Sequence, residues 1–349
     1  MVRVSDFDFD LPYELIAQHP APERAASRLM VVDRATGGIA HARASDLPDL
    51  LVPGDLLVVN DTRVFPARLL GHRVPSGGQV ECLLLRRLDE HRWDALVHPG
   101  QKLRAGRRVR FERGGIVLEA EILEEHTFGR RTIRLWRPDR KDVNAGIDAL
   151  GEVPLPPYIR RQATQQDRER YQTVYARTRG SVAAPTAGLH LDEQMLARLE
   201  TRGIERTAIT LHVGYGTFQP VRSTEVEEHR IDREPYDIGA DAAARISGAL
   251  AAGRRVVAVG TTTTRTLESV ARHNEGRVRA GSGLADLFIY PGFRFGVVGA
   301  LLTNFHLPQS SLLMLVCAFA GRDLVLEAYR RAVAERYRFY SYGDAMLLV

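Results

Sequence analysis

Cysteine is almost absent from this chain of 349 residues. Only Cys82 and Cys317 are present, and two distant cysteines cannot form the disulfide framework of a small secreted domain. Each lies in an apolar run, which is typical of a buried thiol. The first ten residues also lack the apolar core of a secretory signal. We therefore expect the protein to work in the reducing cytoplasm.

Long apolar stretches are lacking as well. The most apolar run, residues 312–320, is too short to cross a bilayer, so we predict no membrane segment. A composition with 44% hydrophobic and 26% charged residues is typical of a folded globular protein. The length of the chain favours about two domains.

Common nucleotide-binding and metal-binding patterns are incomplete. Residues 214–217 read Gly-Tyr-Gly-Thr, but the third glycine of a dinucleotide fingerprint is missing. Gly260 precedes four threonines, but the Gly-Lys pair of a phosphate-binding loop is absent. The histidines are scattered without the spacing of metal ligands, so we predict no metal. No Gly-x-Ser-x-Gly nucleophile motif occurs.

Apolar runs that alternate with amphipathic stretches indicate an α/β domain. The predicted strands are residues 56–60, 208–213, 255–259 and 300–303, and the predicted helices are residues 192–202, 240–252, 265–271, 310–321 and 324–337. This alternation predicts mostly parallel strands. Ligands of such sheets bind beyond the carboxyl ends of the strands, and loops rich in Gly, Thr, Asn and His follow these strands.

The middle of the chain has a different pattern. Short strand-like runs separated by turn signals occupy residues 80–86, 93–97, 109–112, 117–122 and 131–135. We predict a small all-β barrel over residues 68–149, inserted into a discontinuous α/β domain made of residues 1–67 and 150–349.

Basic charge is concentrated in this insertion. Residues 86–141 contain 15 Lys and Arg against 9 Asp and Glu, whereas the whole chain has a formal net charge of +5. Such an excess suits nucleic-acid phosphates, although a solvated surface explains it equally well. Residues 160–170 are also highly polar, and we expect them to be mobile until a partner binds.

Loops of small residues mark the predicted ligand site. Residues 181–190 are almost all small and end in His190, after a polar helix pattern that stops at Gly180. His306 follows a second loop of this kind, and a neutral imidazole is suited to accept a proton near pH 7. Thr261–Thr264 precede a predicted helix, where hydroxyls and free amides can hold a hydroxylated or anionic ligand. The alternatives are ordinary connectors, structural histidines and plain helix capping.

Taken together, these segments resemble the S-adenosylmethionine:tRNA ribosyltransferase-isomerase family of queuosine biosynthesis. The matching motifs run nearly from end to end, at residues 27–29, 60–69, 154–159, 170–176, 180–190, 211–214, 260–263, 303–308 and 337–346. The chain departs from the family pattern at Leu191, Tyr215, residues 231–233 and Ser311.

The resemblance implies an α/β domain that carries an inserted barrel. It also implies transfer of the ribosyl part of S-adenosylmethionine to a 7-aminomethyl-7-deazaguanine base at the tRNA wobble position. The ribosyl group is rearranged to an epoxycyclopentanediol, and adenine and methionine are released. S-adenosylmethionine is then a consumed co-substrate, and no true cofactor is needed. We expect a monomer.

This chemistry assigns hypothetical roles to residues of the motifs. A base must remove a proton from the carbon next to the sulfonium, and the departing adenine needs a proton. The predicted catalytic residues are His190, His306 and Asp61. The predicted substrate-binding residues are Arg63, Thr186, Gly188, Gly214, Gly216, Thr261, Thr262, Thr263, Arg265 and Asn304, with Arg265 on the methionine carboxylate. The predicted tRNA-binding residues are Arg104, Arg107, Arg108, Arg160, Arg161, Arg177 and Arg179.

Two other functions are compatible with parts of the sequence. An S-adenosylmethionine-dependent RNA methyltransferase would use the same donor, but the glycine fingerprint is incomplete. A non-catalytic tRNA-binding module would explain the basic charge, but it would leave the loops at the strand ends without a purpose. A donor labelled in its methyl group or in its ribose separates these alternatives.

Overall fold

A computed structural model of the chain describes residues 2–218 and 221–349. The α-helices there are α1 (Leu47–Leu50), α2 (Val143–Leu150), α3 (Gln165–Arg170), α4 (Glu193–Thr201), α5 (Ala240–Ala251), α6 (Thr261–His273), α7 (Ser311–Ala320) and α8 (Arg322–Ala334). The strands there are β1 (Arg28–Val32), β2 (Ile39–Arg43), β3 (Leu56–Asn60), β4 (Thr62–Val64), β5 (Arg68–Val74), β6 (Gln79–Arg87), β7 (Arg92–His98), β8 (Arg108–Arg113), β9 (Ile116–Glu125), β10 (Arg130–Trp136), β11 (Thr178–Ser181), β12 (Glu205–Leu211), β13 (Glu234–Ile238), β14 (Val256–Val259), β15 (Gly281–Ala285), β16 (Ala300–Asn304) and β17 (Ala345–Leu348). None of these helices is long and apolar enough to span a membrane.

One large sheet organises the α/β domain. Among the described residues, nine strands follow the order β15-β13-β12-β3-β14-β16-β17-β1-β2. The central strands β12, β3, β14 and β16 are parallel to their neighbours in this group. Antiparallel partners, β13 next to β12 and β17 next to β16, flank them. The predicted α/β class is confirmed, and the sheet is mixed because antiparallel strands adjoin the parallel group on both sides.

The helices cover both faces of this sheet. Successive side chains of a strand point to opposite faces. On β3, Leu56 and Val58 pack in one core with α5 and α6, whereas Leu57 and Val59 pack in another with α1 and α4. Burial on both faces explains why this strand is a continuous apolar run in the sequence.

The insertion is a closed antiparallel barrel in the strand order β10-β7-β6-β5-β8-β9. Strand β5 was not predicted, because Gly71, His72 and Arg73 interrupt its apolar pattern. Helix α2 adds Ile147 to the barrel core. The chain enters the insertion near Arg68 and returns to the α/β domain near Glu152. Backbone hydrogen bonds join these two residues. All six barrel strands lie within residues 68–149, and the exact domain bounds stay a prediction.

Two local predictions are wrong. The polar helix pattern does not continue to Gly180, since α3 ends at Arg170 and β11 pairs with β4 instead. The segment expected to be mobile is tied to the fold by Asp167, which is 1% exposed. Arg161, Thr164 and Tyr342 all donate hydrogen bonds to its carboxylate. Burial opposes ionisation, but these donors outweigh it and hold the pKa of Asp167 well below its usual range.

Candidate active site

The carboxyl ends of the central parallel strands meet at one edge of the sheet. Asn60 joins two of them, because its Nδ2 donates to the carbonyl of Leu211 over 2.9 Å and its Oδ1 accepts from the N–H of Leu211 over 3.0 Å. The same oxygen accepts from the N–H of Thr62. Asn60 is fully buried, and its side-chain hydrogen bonds hold the ends of β3 and β12 together at the site.

Helix α6 begins at this edge, four residues earlier than predicted. Gly260 caps it with a φ of +92°, a conformation that favours glycine. Thr263 donates its hydroxyl to the carbonyl of Val259 over 2.7 Å, and Thr264 donates to that of Gly260 over 3.2 Å, so these threonines bond back into the helix. Thr261 and Thr262 remain at the positive end of the helix, which is suited to anionic or hydroxylated ligands.

A narrow space opens at this helix end, and we call it the cleft; together with the open solvent at its mouth it measures about 500 Å³. It is lined by Tyr158, Ala184, Pro185, Thr186, Ala187, Val213, Gly260, Thr261, Thr262, Thr303, Asn304, His306, Leu312, Tyr340 and Ser341. Three separate loops that the sequence singled out therefore supply its walls. Five of the predicted site residues meet here: Thr186, Thr261, Thr262, Asn304 and His306.

Asn304 presents an unused acceptor to the cleft. Its Nδ2 lies 3.0 Å from Nε2 of His190 and 3.2 Å from the carbonyl oxygen of Tyr340. Because the amide nitrogen can only donate, Nε2 of His190 is the acceptor. The buried Oδ1 of Asn304 has no hydrogen-bond partner among the described residues. A buried polar atom of this kind is costly unless a ligand satisfies it.

The two predicted histidines occupy different positions. His306 lines the cleft, with its Nε2 2.9 Å from the hydroxyl of Thr303. His190 lies behind Asn304 and does not line the cleft. Burial lowers the pKa of His306 to about 3 and that of His190 to about 4. Both imidazoles are therefore neutral at pH 7.

A second and wider space, which we call the groove, adjoins the cleft at Leu312, a residue that lines both. The groove is open to solvent, and together with the solvent at its mouth it measures about 1090 Å³. It is lined by Phe128, Gly216, Arg222, Ser223, Glu228, His229, Arg230, Ile231, Asp232, Glu234, Arg265, Ser311 and Leu312. Phe128 comes from the barrel, so both domains contribute to this space.

Arg265 links the groove to the cleft. It lies on α6 four residues after Thr261, hence on the same side of the helix. Its Nη1 is 3.0 Å from Oε2 of Glu234, and its Nε donates to the carbonyl of Leu287. Its Nη2 is buried and has no hydrogen-bond partner in the described part of the chain. Oε1 of Glu234 accepts from the N–H of Gly214 over 2.8 Å, which joins Gly214 to this ion pair.

Three other predicted site residues lie away from the cleft. Asp61 is buried, and its carboxylate accepts from the hydroxyl of Thr210 over 2.6 Å and from Arg177 over 2.8 Å. Arg63 is exposed on β4. Gly188 packs against Tyr175, whose hydroxyl would lie only 2.1 Å from a Cβ atom added at this position. None of the three lines the cleft or the groove.

The predicted tRNA-binding arginines fall into three groups. Arg104, Arg107 and Arg108 are exposed on the barrel. Arg177 and Arg179 lie on or beside β11, paired with Asp61 and Asp148 respectively. Arg160 is exposed, with its guanidinium 4.4 Å from the ring centre of Tyr13. Arg161 differs from the others because both of its terminal nitrogens bond to Asp167.

The cleft also contains residues that sequence reasoning did not single out. Tyr158 hydrogen-bonds to Ser341, and its ring lies edge-on against Tyr340 at 3.8 Å between ring centres. Burial raises the pKa of Tyr158 well above its usual range. None of these residues follows a predicted strand. The only sequence signal for Tyr158, Tyr340 and Ser341 was their place in the motifs that carry the family resemblance. Glu234 had no signal at all.

The fold and the site define a class of protein: an α/β enzyme with an inserted barrel and a buried polar cleft at the strand ends. The family model for the queuosine biosynthesis protein matches residues 4–348. The S-adenosylmethionine:tRNA ribosyltransferase-isomerases of Symbiobacterium thermophilum and Desulfitobacterium hafniense are 54% and 51% identical to the chain, over 100% of both chains in each case.

A solved structure is also similar. It is the crystal structure of the S-adenosylmethionine tRNA ribosyltransferase from Thermotoga maritima, which is 38% identical, covers 99% of this chain and 100% of its own, and superposes with a TM-score of 0.56. The chain belongs to the queuosine biosynthesis protein family.

Proposed function

We propose that this enzyme moves the ribosyl group of S-adenosylmethionine to a 7-aminomethyl-7-deazaguanine base at the tRNA wobble position and isomerises it. The product is epoxyqueuosine in tRNA, with release of adenine and methionine. The observation that carries the proposal is the unpartnered Oδ1 of Asn304, buried in a cleft beside the first turn of α6. In a member of this family, such a site suits a hydroxylated nucleoside.

The donor spans the cleft and the groove. The ribose hydroxyls bond to Oδ1 of Asn304 and to Thr261 and Thr262, while Thr186 faces them from the opposite loop. The methionine carboxylate reaches Nη2 of Arg265, about one helical turn away along α6. Thr263 contributes indirectly, since its hydroxyl holds the start of α6. S-adenosylmethionine is consumed as a co-substrate, and no separate cofactor takes part.

His306 is the group that transfers protons in the cleft. An imidazole with a pKa of about 3 is a weak base, so it depends on the sulfonium to acidify the neighbouring carbon. Once protonated, the same ring is a strong acid and can deliver the proton to the departing adenine. His190 acts as a positioning residue through Asn304. Asp61 positions Arg177 and Thr210 rather than touching the donor.

The exposed arginines hold the tRNA. Arg104, Arg107 and Arg108 on the barrel, together with Arg63, Arg160, Arg177 and Arg179, present cationic groups to phosphates. Arg161 serves the fold through Asp167 instead. Tight binding by phosphate contacts should weaken steeply as salt rises, and a flat salt response would contradict this surface. The enzyme acts as a monomer in the cytoplasm, where its two buried thiols stay reduced.

The decisive experiment follows the donor's atoms. The protein is incubated with precursor tRNA and S-adenosylmethionine labelled either in the ribose or in the methyl group. Ribose label in the tRNA together with free adenine supports the proposal. Methyl label in the tRNA would identify a methyltransferase, and an intact donor would identify a binding module. Near-normal turnover of His306→Ala would rule out the assigned proton chemistry.

A further inference from the structure

Phe128 is the most exposed large apolar side chain in the described part of the chain. Its exposed fraction is 84%, whereas the other exposed apolar side chains of that size range from 41% to 53%. It occupies the tip of the turn between β9 and β10 and lines the groove. An aromatic ring with this exposure has apolar surface that a partner can bury with a gain in free energy.

The backbone holds this ring outward. Phe128 has a φ of +55°, which a bulky residue rarely adopts. Arg131 stabilises the turn. Its side chain is buried and donates hydrogen bonds to the carbonyls of His126, Arg130 and Gly100. Strain that the surrounding structure maintains in this way is typical of functional positions.

One arginine lies close to the ring of Phe128, and others lie at the same end of the barrel. The guanidinium of Arg222, from the α/β domain, lies 5.2 Å from the ring centre. The segment of Arg104, Arg107 and Arg108 runs beside the second half of β9, since Arg107 and Gly106 bond to Ile122 and the N–H of Ala105 bonds to Glu125, so these arginines lie at the same end of the barrel as the turn. An aromatic platform flanked by arginines is the usual arrangement for an unstacked nucleobase.

We infer that Phe128 is a stacking platform for a nucleobase of the tRNA anticodon loop, placed by the barrel at the entrance of the groove. The exposed arginines of the barrel contact the flanking phosphates. The groove then receives the aminomethyl base next to the bound donor. This inference rests on the proposed function for the identity of the RNA, but it assigns a binding role to a residue outside the reacting groups.

Three substitutions at one position test the stacking. Phe128→Ala removes the ring, Phe128→Leu keeps apolar bulk without a π face, and Phe128→Trp keeps a π face. We expect Phe128→Ala and Phe128→Leu to raise the Kd for the precursor tRNA by about 5- to 100-fold, as expected for loss of one base stack. Phe128→Trp should bind as the unmodified protein does. The KM for S-adenosylmethionine should stay within twofold in all three.

The control is Leu88→Ala. Leu88 is also exposed and lies in a turn of the same barrel, but β7 and β10 are antiparallel, which places that turn at the opposite end. Its loss should leave the Kd unchanged. Because both side chains are exposed, the melting temperatures of all variants should match.

Tryptophan fluorescence gives a direct readout. The indole of Phe128→Trp should be quenched by precursor tRNA beyond any change in the parent protein, which carries only Trp93 and Trp136. Unchanged tRNA affinity in Phe128→Ala, or full retention in Phe128→Leu, would overturn the inference, the latter because a protein-like apolar contact would then suffice. Absence of ribosyl transfer by the parent protein would instead count against the proposed function, since these binding measurements need no turnover.

Discussion

Nδ2 of Asn304 lies 3.0 Å from Nε2 of His190, and both residues are buried. This contact fixes which end of the amide faces the cleft, because the nitrogen is held by His190 and by the carbonyl of Tyr340. The oxygen is left without a partner, which suits a donor group of a ligand. A residue outside the cleft thus determines the hydrogen-bonding character of its wall.

Replacing His190 should disturb donor binding more than chemistry. His190→Leu removes the acceptor for Asn304 and frees the amide to rotate, so we expect the KM for S-adenosylmethionine to rise about tenfold, as for one lost hydrogen bond. His190→Gln restores an acceptor near the position of Nε2 and should recover most of the affinity. Steady-state kinetics of both variants measure this. Equal impairment of the two would argue against a positioning role.

Replacing His306 should lower kcat rather than raise the KM. It lines the cleft, and loss of a general acid–base group typically slows turnover by about 10²- to 10⁴-fold. We expect His306→Ala to lower kcat in this range with little change in the KM for either substrate. Single-turnover release of adenine is the measurement. Normal adenine release would assign the proton transfers to another residue.

Replacing Arg265 should weaken the binding of S-adenosylmethionine but not that of tRNA. Arg265→Lys keeps a positive charge beside Glu234 but removes the planar fork that offers Nη2. We expect the KM for S-adenosylmethionine to rise about tenfold while the Kd for tRNA is unchanged. A donor analogue without the carboxylate should bind the variant and the parent protein equally. A difference that persists with the analogue would exclude recognition of the carboxylate.

Arg160 and Arg161 are adjacent but should behave differently. Arg161→Ala leaves the buried carboxylate of Asp167 without its cation, so we expect a loss of about 3 kcal/mol in the free energy of unfolding. Arg160→Ala removes an exposed side chain and should weaken tRNA binding without changing stability. Urea unfolding and tRNA titration of both variants separate the two roles. Comparable stabilities would contradict the structural assignment of Arg161.

The buried histidines should make the protein sensitive to mild acid. The folded pKa values of His190 and His306 are about 4 and about 3, below the ordinary value near 6.5. Between these limits the unfolded chain binds more protons, so stability falls as pH decreases from about 6.5. At pH 5.5 each histidine should cost about 1.4 kcal/mol relative to pH 7.5.

Urea unfolding across pH 7.5 to 5.5 measures this slope. His306→Gln carries no titrating ring and should have a shallower dependence than the parent protein. The carboxylates with lowered pKa values, such as Asp167, lose their contribution only at lower pH. An unchanged slope in His306→Gln would show that its imidazole does not carry the effect.

Periodicity predicted the elements that are buried on both sides or amphipathic. The apolar runs at β3, β14 and β16 were identified within a residue or two, because strands covered on both faces need apolar side chains throughout. Strand β5 and the C-terminal strand β17 are among the strands that were not predicted. β5 has an interrupted pattern, whereas β17 is a short apolar run whose place between β16 and β1 depends on pairing with distant strands.

The site was predicted as a set of loops but not as a geometry. Thr261, Asn304 and His306 follow strand ends in the sequence, which is why they were singled out. The sequence could not show that the carboxylate of Asp61 is bonded to Thr210 and Arg177. It also could not show that Arg161 forms an ion pair with Asp167. Both depend on residues far away in the chain, and local patterns contain no information on such pairings.

The amino-acid sequence by itself determined the α/β class, the inserted barrel, the basic excess and the motifs that carry the family resemblance. These depend on local periodicity, composition and the order of residue types. Only the tertiary structure decided that His306 faces the cleft while His190 stands behind Asn304, and that Phe128 of the barrel overhangs a groove of the other domain. Those relations arise from long-range packing, which brings side chains together across more than a hundred residues of chain.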